Sequence, residues 1–191
     1  WYSLDNKERS NINNRVRVKT FQNAVKEKDY SLLTRLGNVI RNHYSQNPKG
    51  GNYTQLWYEN AFYKSVHDTS RFLVTTLEFV RIHVMPENPE EKVKEVIRKR
   101  KEWEDESRKS AMAALGNKKP DMISFATTFE SDKISSKLSD HAEEVYKHSK
   151  DTNYLYKALE WSTLAIKLFE ANLPDGLVFY DPYMLDKHAK I

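Results

Sequence analysis

The chain has 191 residues, 39% hydrophobic, 30% charged and 12% aromatic, which is enough apolar material for one good core or two small ones and too much for a disordered chain. Its 31 basic and 27 acidic residues leave a formal charge of only +4, too small and too evenly spread to demand a nucleic-acid partner. The absence of cysteine excludes a disulfide framework, thiolate zinc sites and thiol catalysis within these residues, and no apolar run approaches the roughly 20 residues of a membrane-spanning helix.

Five glycines and six prolines are few for an all-β chain, and nine of the eleven fall in clusters: Pro48/Gly50/Gly51, Pro86/Pro89, Gly116/Pro120 and Pro174/Gly176. Between the clusters the apolar spacing is helical. The chain opens on Trp1 instead of Met, which reads as the start of a mature or excised fragment. Arg15-Val16-Arg17-Val18 alternates with strand period, but four residues with a charged face lead more naturally into a short first helix marked by Val18, Phe21 and Val25. Leu32/Leu33, Leu36, Val39/Ile40 and His43/Tyr44 mark a second helix. A Pro-Lys-Gly-Gly loop follows, and Tyr53, Leu56/Trp57 and Tyr63 mark a third. Leu73, Leu77, Val80 and Val84 mark a fourth, with steps of four, three and four.

Asn88-Pro89-Glu90-Glu91 then combines an N-cap, a first-turn proline and an acidic third position, a strong helix start. The helix it opens is long and densely charged, with favourable pairs Glu95–Lys99 and Glu104–Arg108 and an end at Gly116. Its few apolar positions, among them Val93, Val96 and Trp103, predict a solvated helix leaning on its neighbours by a narrow seam. Residues 117–132 form a junction whose Phe125 and Phe129 need burial. Ile134, Leu138, Ala142 and Val145 resume the stripe, and Leu155, Leu159, Ser162, Ile166 and Phe169 predict the last clear helix. The tail from Leu177 reads as one more amphipathic helix.

A faint signature recurs through this pattern. Asp29-Tyr30-Ser31-Leu32-Leu33, Asp68-Thr69-Ser70-Arg71-Phe72-Leu73 and Asp151-Thr152-Asn153-Tyr154-Leu155 each place an acidic helix start before a leucine-bearing run. The following Leu36, Leu77 and Leu159 are separated by one and then two intervals of about forty residues, a period that points to stacked helical hairpins. The expectation is an all-α chain: hairpins over 1–86, the charged helix and junction over 87–132, and a further hairpin with a terminal helix over 133–191, in one continuous domain.

The segment from Ala142-Glu143-Glu144-Val145-Tyr146 through Tyr154-Leu155-Tyr156-Lys157-Ala158-Leu159-Glu160-Trp161-Ser162-Thr163-Leu164-Ala165-Ile166-Lys167-Leu168 resembles a tetratricopeptide hairpin. Ala158 and Ala165, seven apart, match the small residues of its second helix, and Trp161, Ile166 and Leu168 match its bulky ones. Tyr146 and Ser162 depart from the pattern, and Pro174 comes several residues late. The last forty residues, with Lys150-Asp151 and Lys157-Ala158-Leu159-Glu160-Trp161, are similar to the helical C-terminal portion of thioredoxin-like proteins from Bacteroidetes. The tetratricopeptide resemblance implies a right-handed hairpin array with Ala158, Trp161 and Ala165 as packing residues, and the thioredoxin-like one a periplasmic or envelope setting. It implies no cofactor and no catalytic residue in this chain, any redox cysteines lying in another domain, and a partner that is a protein segment or that domain itself.

Read residue by residue, the aromatic group Tyr53, Trp57, Tyr58, Phe62 and Tyr63 is richer than a core stripe needs. It is either inter-hairpin packing or a groove for a peptide or glycan formed by Tyr53, Trp57, Tyr58 and Tyr63. Arg98-Lys99-Arg100-Lys101 is either a solvated charged face or a contact for an anionic surface, with Glu95, Glu102 and Glu104 cancelling much of its field. His141 and His148 lie two turns apart, too far to share one metal ion unaided, and His67-Asp68 reads as a cap before a catalytic pair. No P-loop, dinucleotide fingerprint or nucleophile elbow occurs. The expected function is therefore a non-catalytic, metal-free helical interaction module. The alternatives are a small enzyme with a site among Tyr53, Trp57 and His67, and a basic adaptor for nucleic acid.

Overall fold

The computed structural model of the chain describes residues 5–115, 130–173 and 188–189. The expectations for Gly116, for the junction phenylalanines and for a terminal helix lie outside the described residues. Among those described, seven helices and no strand occur, so the protein is all-α. They fall into two compact units, Trp1–His83 and Val84–Ile191, and the long charged helix belongs to the second instead of forming a segment of its own.

The first unit holds α1 (Asn6–Glu27), α2 (Tyr30–His43), α3 (Pro48–Ser65) and α4 (Thr69–His83). The first helix is not short. It starts at a capping box, in which Asp5 accepts from the Glu8 amide at 2.7 Å and the Glu8 carboxylate accepts from the Asp5 amide at 3.3 Å. The strand-like Arg15–Val18 therefore lies inside it. The Pro-Lys-Gly-Gly stretch is likewise the first turn of α3 and not a loop. Asn47 caps it, accepting from the Gly50 amide at 3.1 Å, and Pro48 supplies a pre-set first residue. Gly51 is required by proximity: a Cβ there would stand 2.9 Å from the Tyr44 Cβ. A helix-weakening residue thus stays because any side chain would collide with Tyr44, just past the end of α2.

The two hairpin turns of this unit are copies of one another. Lys28 (φ 52°) and His67 (φ 61°) adopt the left-handed conformation that ends a helix. Each precedes an aspartate whose amide reaches back to close the turn, Asp29 to the Ala24 carbonyl and Asp68 to the Tyr63 carbonyl, both at 2.9 Å. Each aspartate then caps the next helix: Asp29 accepts from Ser31 at 2.7 Å and Leu32 at 3.1 Å, Asp68 from Arg71 at 3.2 Å. Asp68 is thus a cap, as expected. The two turns correspond at these aspartates, thirty-nine residues apart, whereas the leucines expected to mark a period differ in burial: Leu36 is buried, Leu77 half-buried and Leu159 exposed.

Packing follows the chain: α1 on α2, α2 on α3, α3 on α4, with α1 also touching α3. One core cluster joins Ala24, Leu33 and Phe62, with Phe21, Val25, Leu32, Tyr63 and Val66 against it. A second joins Leu36, Ile40 and Tyr58, with Phe21 and Tyr44 around it. Phe62 has no exposed surface, a burial that contributes about 2–3 kcal/mol. The buried Thr76 hydroxyl donates to the Phe72 carbonyl of its own helix at 2.8 Å and accepts across from α3 the side-chain carboxamide N–H of Asn60.

The second unit holds α5 (Pro89–Leu115), α6 (Glu130–His148) and α7 (Thr152–Ala171). Asn88 accepts from the Glu91 amide at 3.2 Å, which makes it the cap its sequence position announced. The main contact is α6 on α7. Ser135, Leu138, Ser139, Ala142 and Val145 face Ala158, Trp161, Ser162, Ala165 and Leu168, all buried. Small residues on both sides let the backbones approach, and the Ser135 hydroxyl donates to the Ala165 carbonyl at 2.9 Å. The buried face of α7 therefore runs through Ala158, Trp161 and Ala165, the packing residues that the hairpin resemblance implies, and through Ser162; of the rest of the expected stripe Leu155, Ile166 and Phe169 are half-buried and Leu159 is 39% exposed.

Helix α5 meets α7 along a seam on which Val96 and Arg100 are buried. On its outer face Glu95 sits between Lys92, at 3.1 Å, and Lys99. Hydrogen bonds from Lys99 and Lys92 pull its carboxyl down from 4.5 to about 2. A depressed carboxyl stabilises the fold above its unfolded pKa and loses that stabilisation as pH falls through the folded value. Acid should release this staple between 4.5 and about 2, and Glu95→Gln should abolish that part of the acid response of α5 helicity. A carboxyl-carbon NMR titration with a Glu95 midpoint at an ordinary value, about 4, would contradict the pairing.

Candidate functional site

The cleft of the first unit is built by α1, α2 and α3. Asn14 and Arg17 from α1, Tyr44 just past α2, and Tyr53, Thr54, Trp57 and Tyr58 from α3 surround about 280 Å³. Asn14, Arg17, Phe21 and Ala24 share one face of α1 by helical spacing, and Phe21 anchors that face by packing on Tyr58 at 5.1 Å between ring centroids. Three of the four expected aromatic residues meet here. Tyr58 is the buried floor, and Trp57 stands edge-on to it at 5.0 Å while remaining 51% exposed. Tyr53 is braced by Phe79 at 5.1 Å and by the edge of His83 at 5.2 Å, whose Nε2 lies 2.6 Å from the Asn52 carboxamide oxygen. Such rings are large, rigid contact surfaces that lose few rotors on binding.

Tyr63 does not belong to this cleft. It packs on the other aromatic cluster, 6.2 Å from Tyr30 and 5.6 Å from Phe62. There the Tyr30 hydroxyl donates to the Asp68 carboxylate at 3.0 Å, and the Arg71 guanidinium lies 4.8 Å over the Tyr30 ring and 3.6 Å from Asp68. The bond to Asp68 raises the Tyr30 hydroxyl above its usual range, and burial raises that of Tyr63. This cluster ties the start of α2 to the start of α4. His67, placed in the left-handed turn beside it, is no neighbour of Tyr53 or Trp57 in the cleft lining.

Arg17 is the residue the sequence analysis missed. Its Cζ lies 5.9 Å over the Tyr44 ring, and its Nε and Nη1 are buried with no hydrogen-bond partner. The signal was available: Arg17 is one turn before Phe21 on the face that enters the core.

The basic run on α5 does not act as a unit. Arg98 pairs with Glu102 at 2.7 Å and Lys99 with Glu95, while Arg100 is 4% exposed with Nε 3.7 Å from Glu104 Oε1. Arg100 is therefore neither part of a solvated face nor placed to meet an external phosphate. Glu104, expected to pair with Arg108, faces Arg100 instead. A second cleft of about 440 Å³ opens between Pro89 and Val93 of α5 and Tyr156, Leu159, Thr163 and Leu164 of α7, with Glu90, Glu160 and Lys167 around it.

His141 and His148 lie along α6. Burial lowers the imidazole of His141, and His148 Nδ1 lies 2.8 Å from the Glu144 carbonyl. Among the described residues no group of three or more metal-ligating side chains occurs, and no helix is long and apolar enough to cross a membrane. No protein family, no characterised protein and no solved structure matches the chain.

Proposed function

We propose that the chain is a helical-hairpin interaction module that binds a protein segment in the aromatic cleft of its first unit. The observation that carries this reading is Trp57, half exposed yet fixed by contact with a buried tyrosine and flanked by Tyr53 and Tyr44. An exposed, immobilised indole beside further rings is the composition of a binding hot spot. The succession of contacts, with α1 reaching α3 past α2, and the repeated turn support a tetratricopeptide-like stacking of the two hairpins. The resemblance of the last forty residues extends the proposal to one class of partner, a thioredoxin-like domain of an envelope protein.

Peptides selected on the full chain from a random library provide the test. Trp57→Ala should weaken the best of them about tenfold or more, with helicity unchanged because the indole lies at the surface. Equal affinity for the two proteins would refute the assignment.

A further inference from the structure

The chemistry that the cleft selects rests on its assignment as a peptide site, and Arg17 supplies it. A guanidinium whose donors are closed off from water and from acceptors sits at a free-energy cost, because neither hydration nor a hydrogen bond offsets its charge. Two of the three nitrogens of Arg17 are in that condition, which leaves Nη2 as the nitrogen able to meet a ligand. The ring of Tyr44 covers the guanidinium, and Tyr53, Trp57 and Tyr58 complete an aromatic wall of low polarity beside it, which strengthens an ion pair relative to open water. No carboxylate stands among the residues lining the cleft.

The surroundings add to the same field. Residues 1–83 carry thirteen lysines and arginines against seven aspartates and glutamates. Four of those seven, Asp5, Glu8, Asp29 and Asp68, are committed to helix starts, where they answer the positive ends of α1, α2 and α4. With about 280 Å³ the cleft has room for one or two side chains and falls short of a typical cofactor pocket. The geometry points to an acidic peptide segment as the ligand, with an aspartate or glutamate carboxylate accepting from Arg17 Nη2 and an adjacent apolar residue lying on Trp57.

The peptides recovered on the full chain should carry an acidic residue beside an aromatic or aliphatic one. Changing that acid to its amide should weaken binding about tenfold or more, the loss expected when a charge-assisted hydrogen bond is removed. Arg17→Gln should cause a similar loss with the acidic peptide and almost none with the amide peptide, because the two changes remove one interaction. Acid and amide forms binding within about twofold of each other would overturn the inference. Should Arg17→Gln lose helicity, the acid-to-amide exchange measured on the unaltered protein decides the matter. Dependence on Trp57 without dependence on the acid defeats this inference and leaves the cleft assignment standing. Independence from both, or no peptide recovered, defeats the two together.

Discussion

Phe62→Ala is expected to cost about 3–5 kcal/mol, the range for removing a buried aromatic ring from a core that cannot collapse around the gap. The ring has no exposed surface and sits where α1, α2 and α3 meet, against Ala24 and Leu33, with the edge of Tyr30 at 5.2 Å. Its neighbours are held by helix caps on one side and by the Tyr30–Asp68 bond on the other, so little relaxation is available to them. Urea unfolding should show the loss, and amide exchange should accelerate first at Ala24 and Leu33. A variant that unfolds within about 1 kcal/mol of the parent would mean that these three helices do not share this core.

Ala158→Trp is the counterpart in the second unit. Ala158 has no exposed surface and lies on the α7 face that meets α6, a contact made close by Ser135, Ser139 and Ala142 on the opposite side. An indole at that position must either part the two helices or leave its rotamer wells, and a cost of about 3 kcal/mol or more is expected. Tyr156→Trp, on the same helix but 67% exposed, is the control and should leave the melting temperature almost unchanged. Identical melting of the two variants would remove the support for close α6–α7 packing.

The helical class was legible because apolar residues recur with a period of 3.6 and because Asp29, Asp68, Asn88 and Asp151 sit where caps belong. What escaped did so for identifiable reasons. The first ten residues of α1 carry no apolar stripe, so periodicity could not find a helix that a capping box begins. Gly50 and Gly51 read as a loop because the constraint that keeps Gly51 is a distance to Tyr44, which no local pattern contains. Periodicity alone draws the α7 stripe through Leu159, which is exposed, because it weighs leucines above alanines; the seven-residue spacing of Ala158 and Ala165 marks the face that is buried.

The two candidate sites show the same limit. Four consecutive cations look equivalent on paper, but Arg100 follows Val96 by one turn and is carried onto the seam with α7. In the cleft, Tyr53, Trp57 and Tyr58 were recognisable as an aromatic excess on one helix. Tyr63 was grouped with them by nearness in sequence, although a further turn and a half carries it to the opposite end of α3. Arg17 and Tyr44 come from other helices, and only the folded backbone brings them to the same opening.

The matched left-handed turns at Lys28 and His67 bear on how such a chain can lengthen. Each hairpin leaves its turn in the same backbone state as the one before, with an aspartate ready to seed the next coil. A duplicated stretch of thirty-nine residues could thus be spliced in frame without inventing a new joint.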